Sequence, residues 1–172
     1  MNAHYSAASF GDAYTAHIDT FARERLPPRE QWPEFRFDLP ELHYPPRLNC
    51  ASVLLDEAIL EGHGARTALY SSSANWSYFE LLECANRIAN VLVHDLGVVP
   101  GNRVLLRGAN SPTLVASWLA VMKVGAIAVT TMPMLRAKEL CVMAERAHID
   151  HAICEARLVA EVHEAARATG RL

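Results

Sequence analysis

His148, His151 and Cys154 are metal-ligand residue types spaced by three. Zinc binds such donors but takes four of them in a closed structural site. No fourth donor accompanies these three. They also straddle a junction between a helical and an extended pattern, so no single helical face aligns them, and no metal is expected here. His148 reads as a polar helix-end residue and Cys154 as a small buried hydrophobe. Other candidate groups are equally incomplete. Ser71-Ser72-Ser73 has hydroxyls without the glycine and lysine of a phosphate loop, and Gly62-His63-Gly64 is too short to cradle a phosphate. Neither G-x-x-x-x-G-K-S/T nor G-x-G-x-x-G occurs, and the G-x-S-x-G elbow of hydrolases is absent. Asp56-Glu57 and Glu80 with Glu83 read as solvated helix faces rather than acid–base pairs. These patterns identify no catalytic residue. Arg136 and Arg157 stand apart in one respect: each follows or ends an expected strand, the side on which open sheets bind ligands.

The elements that would carry these residues follow from spacing and punctuation. Asp12 to Arg25 is expected to form a short helix with Tyr14, Ile18 and Phe21 on one side, stopped by Leu26-Pro27-Pro28. Residues 32–46 are rich in proline and aromatics, which predicts an extended segment laid on a larger surface, with an ordinary linker as the alternative. Asn49 caps an expected helix through Leu60 that buries Val53, Leu54 and Ala58, with Gly62 beyond its end. Ala68-Leu69-Tyr70 and the region of Trp76 predict a hairpin around the serine-rich turn. Ser77 and Glu80 form a capping box, with Trp76 and Leu81 placed for a hydrophobic staple. Leu81, Ala85, Ile88, Leu92 and Leu96 continue as one apolar stripe, closed by Gly97.

From residue 104 onward the pattern alternates. Val104-Leu105-Leu106 predicts a buried strand. Ser111-Pro112 is a cap followed by proline in the first turn, opening a helix that Lys123-Val124-Gly125 closes. Ala126 to Val129, Arg136 to Ala147, His151 to Cys154 and Leu158 to Ala168 then read as strand, helix, strand and helix. Strands alternating with helices imply an α/β fold, part of a doubly wound, mainly parallel sheet with crossover helices. Residues 1–48 form an arm and residues 49–172 the regular portion. Three parallel strands are few for this class, so the expectation is a fragment, or a domain completed by association.

Composition narrows the function classes. The 172 residues are 51% hydrophobic and 20% charged, enough to bury a core. The net charge of −3 gives no electrostatic footprint for nucleic acid or an anionic membrane. No apolar run reaches the roughly 18 residues of a membrane span, and residues 1–16 lack the apolar core of a signal peptide. The four cysteines are scattered without a C-x-x-C, which fits reduced thiols and a cytoplasmic location.

Several motifs together resemble the adenylate-forming superfamily. Ser77-Tyr78-Phe79-Glu80-Leu81 with Ala85-Asn86-Arg87-Ile88-Ala89 is similar to its first core motif. The stretch Gly97 to Val104 resembles the link and strand that follow. Asn110-Ser111-Pro112 and the run from Trp118 to Ala126 are similar to the second core motif, and Pro133, Leu135-Arg136 and Glu139-Leu140 continue the match. Within the arm, residues 17–23, Leu26-Pro27-Pro28 and Gln31-Trp32-Pro33 resemble aryl-CoA ligases of the 2-aminobenzoate and benzoate type, and residues 47–51 agree.

The resemblance implies an enzyme that joins a carboxylic acid to ATP, with Mg²⁺, and passes the acyl group from the adenylate to CoA. A small aromatic carboxylic acid would be the substrate. The family's phosphate loop, adenine-binding motif, ribose-binding aspartate and catalytic lysine match no position here. The motifs that do match are structural: Ser77 and Glu80, Gly125, and Pro133 turning the chain after a strand. Arg136 and Arg157 are the positions at which the resemblance implies contact with CoA phosphates. The isolated chain is expected to be inactive. Three other readings stand beside this one: a ligase for medium-chain fatty acids, a non-catalytic module whose open sheet edge and apolar helices pair in a homodimer, and a small ligand-binding α/β domain.

Overall fold

The computed structural model describes residues 16–45, 47–72 and 74–172. Its centre is a three-stranded parallel sheet of β3 (Arg103–Arg107), β4 (Ile127–Thr131) and β5 (Ile149–Cys154), in the order β4-β3-β5. Before it in the chain, β1 (Thr67–Leu69) and β2 (Trp76–Ser77) pair as an antiparallel hairpin. The helices are α1 (Phe21–Glu24), α2 (Ser52–Glu57 running into Ala58–Leu60), α3 (Tyr78–Asn90), α4 (Pro112–Lys123), α5 (Ala137–Ala147) and α6 (Val159–Thr169). The α/β class and the alternation expected after residue 104 are therefore both present.

β3 is central, and all five of its residues are buried. Side chains alternate across a strand, so its two faces feed two cores. Val104 and Leu106 pack with Leu55, Leu81, Ala85, Leu92 and Leu119 under α2, α3 and α4. Leu105 packs with Leu140, Ile149, Val162 and Ala165 under α5 and α6. Helices thus cover both faces, as a doubly wound sheet requires.

Local signals set the helix ends. Ser77 Oγ accepts from Glu80 N (3.3 Å), and Glu80 Oε2 accepts from Ser77 N (2.7 Å), closing the capping box of α3. Trp76 and Leu81 both belong to the same core, consistent with the staple. Ser111 Oγ accepts from Leu114 N (3.2 Å), with Pro112 in the first turn of α4. Gly125 ends that helix at φ +75°, a left-handed conformation that glycine adopts without the penalty of a Cβ.

Four expectations need correction. Asn49 does start α2, accepting from Ala51 N and Ser52 N. The buried residues there are Ala51 and Leu55, however, while Leu54 is 52% exposed and Val53 and Ala58 are only half-buried. Residues Ser52–Glu57 wind as a π-helix, whose wider turn rotates successive side chains less and so moves the buried face. The same winding over Val91–Asp95 leaves Leu96 exposed, so the α3 stripe ends at Leu92. The arm helix spans only Phe21–Glu24 among the described residues; Tyr14 lies outside them, and Ile18 is exposed. Finally, the aromatics of residues 32–44 pack on one another: Trp32 with Phe35 (6.4 Å), Phe35 with Phe37 (6.3 Å) and Phe37 with Tyr44 (6.4 Å). Among the described residues Phe35, Leu39 and Tyr44 stay exposed rather than covered by the sheet and its helices.

Candidate functional site

The carboxyl ends of the strands meet at Arg107. This residue closes β3 and is 1% exposed. Its Nη1 donates to the Met132 carbonyl (3.0 Å), and its Nη2 donates to the carbonyls of Pro133 (2.9 Å) and Leu135 (2.6 Å). Nε has no partner among the described residues. The chain leaving β4 is therefore wrapped around a buried guanidinium, and Pro133 turns there as expected. Arg107's own carbonyl accepts from Glu155 N (2.8 Å), just beyond β5. Glu155 Oε2 accepts in turn from Ala109 N (3.2 Å). The helices after β3 and β5 lie on opposite faces, an arrangement that opens a crevice at the carboxyl ends of adjacent strands.

Arg136 and Arg157 both stand at this edge. Arg136 precedes α5, is 79% exposed, and pairs with Glu161 of α6 (2.9 Å). Glu161 Oε2 also accepts from Ala137 N (2.7 Å). The Arg136 and Ala137 hydrogen bonds hold the Glu161 carboxyl below its usual range. Arg157 is 68% exposed and pairs with Glu155. The Ala109 amide, followed by Arg157, lowers the Glu155 carboxyl. Both arginines thus lie where the strand pattern placed them, each beside a carboxylate.

The other candidates do not come together. β5 separates His148 from Cys154 by six residues, about 20 Å at ~3.3 Å per residue. His148 lies at the opposite edge, where it ends α5 in a left-handed conformation and stacks on Phe21 at 4.2 Å. Among the described residues no group of three or more His, Cys, Asp or Glu could hold a metal ion. Burial pushes the Cys154 thiol up, against the opposing field of Arg107, so it is no ready nucleophile. Asp56 is not a solvated face: both its oxygens accept from Lys123 Nζ at 2.7 Å, joining α2 to the end of α4. Among the described residues these side chains supply no cluster of oxygen ligands for Mg²⁺.

Two buried arginines escaped the sequence reading. Arg103 and Arg107 flank the apolar run of β3 and share its α5/α6 face with Leu105. One signal for them was available: a strand covered on both faces leaves a flanking arginine no short route to water.

A family model described as "AMP-binding enzyme" matches residues 56–171, most of the chain and all of the sheet. The chain belongs to the AMP-binding enzyme family. Within that family it is 35% identical over 82 residues to a 3-hydroxybenzoate–CoA/4-hydroxybenzoate–CoA ligase of Thauera aromatica, covering 48% of this chain and 16% of that protein. Its fold matches a benzoate CoA ligase from Burkholderia xenovorans LB400 with a TM-score of 0.65 and 27% identity, over 72% of this chain and 25% of that one. It matches an anthranilate CoA ligase, solved with anthranoyl-AMP, with a TM-score of 0.66 and 25% identity, over 73% of this chain and 24% of that one. The chain thus spans about a quarter or less of these AMP-binding relatives.

Proposed function

We propose that this chain is the amino-terminal scaffold of an ATP-dependent acid–CoA ligase acting on an aromatic carboxylate, with 2-aminobenzoate and benzoate as the favoured substrates. The observation that carries the reading is the family match over residues 56–171. The printed names of the similar proteins, hydroxybenzoate, benzoate and anthranilate CoA ligases, support the aromatic acid. In this reading, residues 49–172 form the first part of the α/β domain and residues 1–48 an arm upon it. ATP, Mg²⁺ and CoA serve the whole enzyme, and the nucleotide groups are held by residues outside this chain. Arg136 and Arg157 are the positions assigned to CoA phosphates. Both guanidiniums are largely exposed, so each can turn from its glutamate toward another anion.

The test is ATP-dependent pyrophosphate release by the full-length protein, offered 2-aminobenzoate, benzoate and a medium-chain fatty acid separately. Release that requires an aromatic acid is the expected result. Release with the fatty acid alone would keep the ligase and discard the aromatic substrate. Silence with all three would move the assignment to a non-catalytic module.

A further inference from the structure

Arg107 joins both strand-end loops that carry the exposed arginines. On one side its side chain holds the carbonyls of Met132, Pro133 and Leu135, and the next residue is Arg136. On the other, its carbonyl holds Glu155 N, and Glu155 pairs with Arg157. The guanidinium is almost wholly buried and, among the described residues, makes only main-chain hydrogen bonds and keeps one nitrogen unpartnered. Burying a charge without a bonded carboxylate is costly. A strand end needed only for packing would be better served by leucine. What the charge accomplishes is geometric: three carbonyls converge on one planar fork, reinforcing a turn whose one main-chain bond among the described residues, from Leu135 N to the Met132 carbonyl, is 3.2 Å long. That turn displays Met132 and Met134, 60% and 80% exposed, beside Arg136.

We infer that Arg107 is a positioning residue for the acceptor half of the reaction. It holds the loop after β4 so that the cations of this edge meet the phosphates of the incoming CoA. The inference rests on the ligase reading given above and adds to it a residue that touches no substrate. Displacing a binding group by a fraction of an ångström weakens one binding step and leaves an independent one untouched.

The experiment measures two half-reactions in the full-length protein: acid-dependent pyrophosphate release without CoA, and thioester formation as CoA is varied. Arg107→Lys keeps the charge and loses the fork. It should raise the KM for CoA about tenfold while pyrophosphate release stays within about twofold of the parent. Pro133→Gly leaves the guanidinium in place and loosens the turn it holds. It should reproduce the same selective rise, and it decides the matter if Arg107→Lys does not fold. An unchanged KM for CoA in either folded variant would overturn the inference, as would an equal fall in both half-reactions. Absence of pyrophosphate release by the parent protein would overturn the ligase reading first and this inference with it.

Discussion

Asp19 and Arg103 are 84 residues apart and share a 2.5 Å hydrogen-bonded ion pair at the amino-terminal edge of the sheet. Arg103 is 6% exposed and donates also to the carbonyls of Gly101, Ala147 and His148. Asp19 accepts in addition from Asn102 Nδ2 and Phe21 N. The Phe21 ring stacks on His148 at 4.2 Å and has the Arg103 guanidinium 4.7 Å from its centroid. The arm is thereby clipped to the turn before β3 and to the end of α5.

This clip has a pH signature. Partial burial raises the Asp19 carboxyl, but the hydrogen bonds from Arg103, Phe21 and Asn102 outweigh it and leave the net value lowered. A carboxylate depressed in the folded state stabilises above its unfolded value, ordinarily 3.8, and that contribution is lost as pH falls through the folded value. Asp19→Asn should destabilise by about 1–3 kcal/mol above about pH 5. The gap from the parent should close on acidification below 3.8. Thermal melting of both proteins across that range checks this, and a gap independent of pH would remove the ion pair from the account.

Gly101 permits the arm to approach. Its φ is +93°, and a Cβ there would lie 2.1 Å from the Asp19 carbonyl oxygen. Ile18 N and Asp19 N also donate to the Pro100 carbonyl at 2.9 and 3.0 Å. Gly101→Ala should therefore release the arm as well as strain the turn, costing about 1–3 kcal/mol. Limited proteolysis should cut near residues 20–30 faster in this variant, and an unchanged cleavage rate would show the arm held elsewhere.

The buried face of α2 gives a paired comparison. Leu55 is 1% exposed and its neighbour Leu54 is 52% exposed. Leu55→Ala should cost about 2–4 kcal/mol, the range for emptying a core site, and Leu54→Ala less than about 1. Denaturant midpoints at constant slope measure both. The reverse order would mean that the π-helical winding of residues 52–57 is wrong.

Asn49 has two tasks at once. Its Oδ1 caps α2, and its Nδ2 donates to the carbonyls of Met122 (3.3 Å) and Lys123 (2.9 Å) at the end of α4. Asn49→Asp keeps the cap and loses the donor, whereas Asn49→Ala loses both. The alanine variant should fall by about 1–3 kcal/mol, and the aspartate variant by an intermediate amount. Equal losses would show that only the link to α4 matters.

Residue order alone determined the features whose partners lie within a few positions. The Ser77–Glu80 box, the Ser111-Pro112 start, the helix end at Gly125 and the alternation after residue 104 were all legible, because capping and periodicity are local. So was the family, since its matching motifs are these same structural signals. Tertiary structure decided what depends on neighbours 24 to 84 residues away. The strand order β4-β3-β5 turned Arg103 and Arg107 from strand-flanking charges into buried anchors. Lys123 found Asp56, Glu161 found Arg136, and the arm found the turn at Gly101. Spacing does not rank such distant pairs. They form because a strand covered on both faces forces its polar ends to bond whatever carbonyls and carboxylates the topology brings within reach.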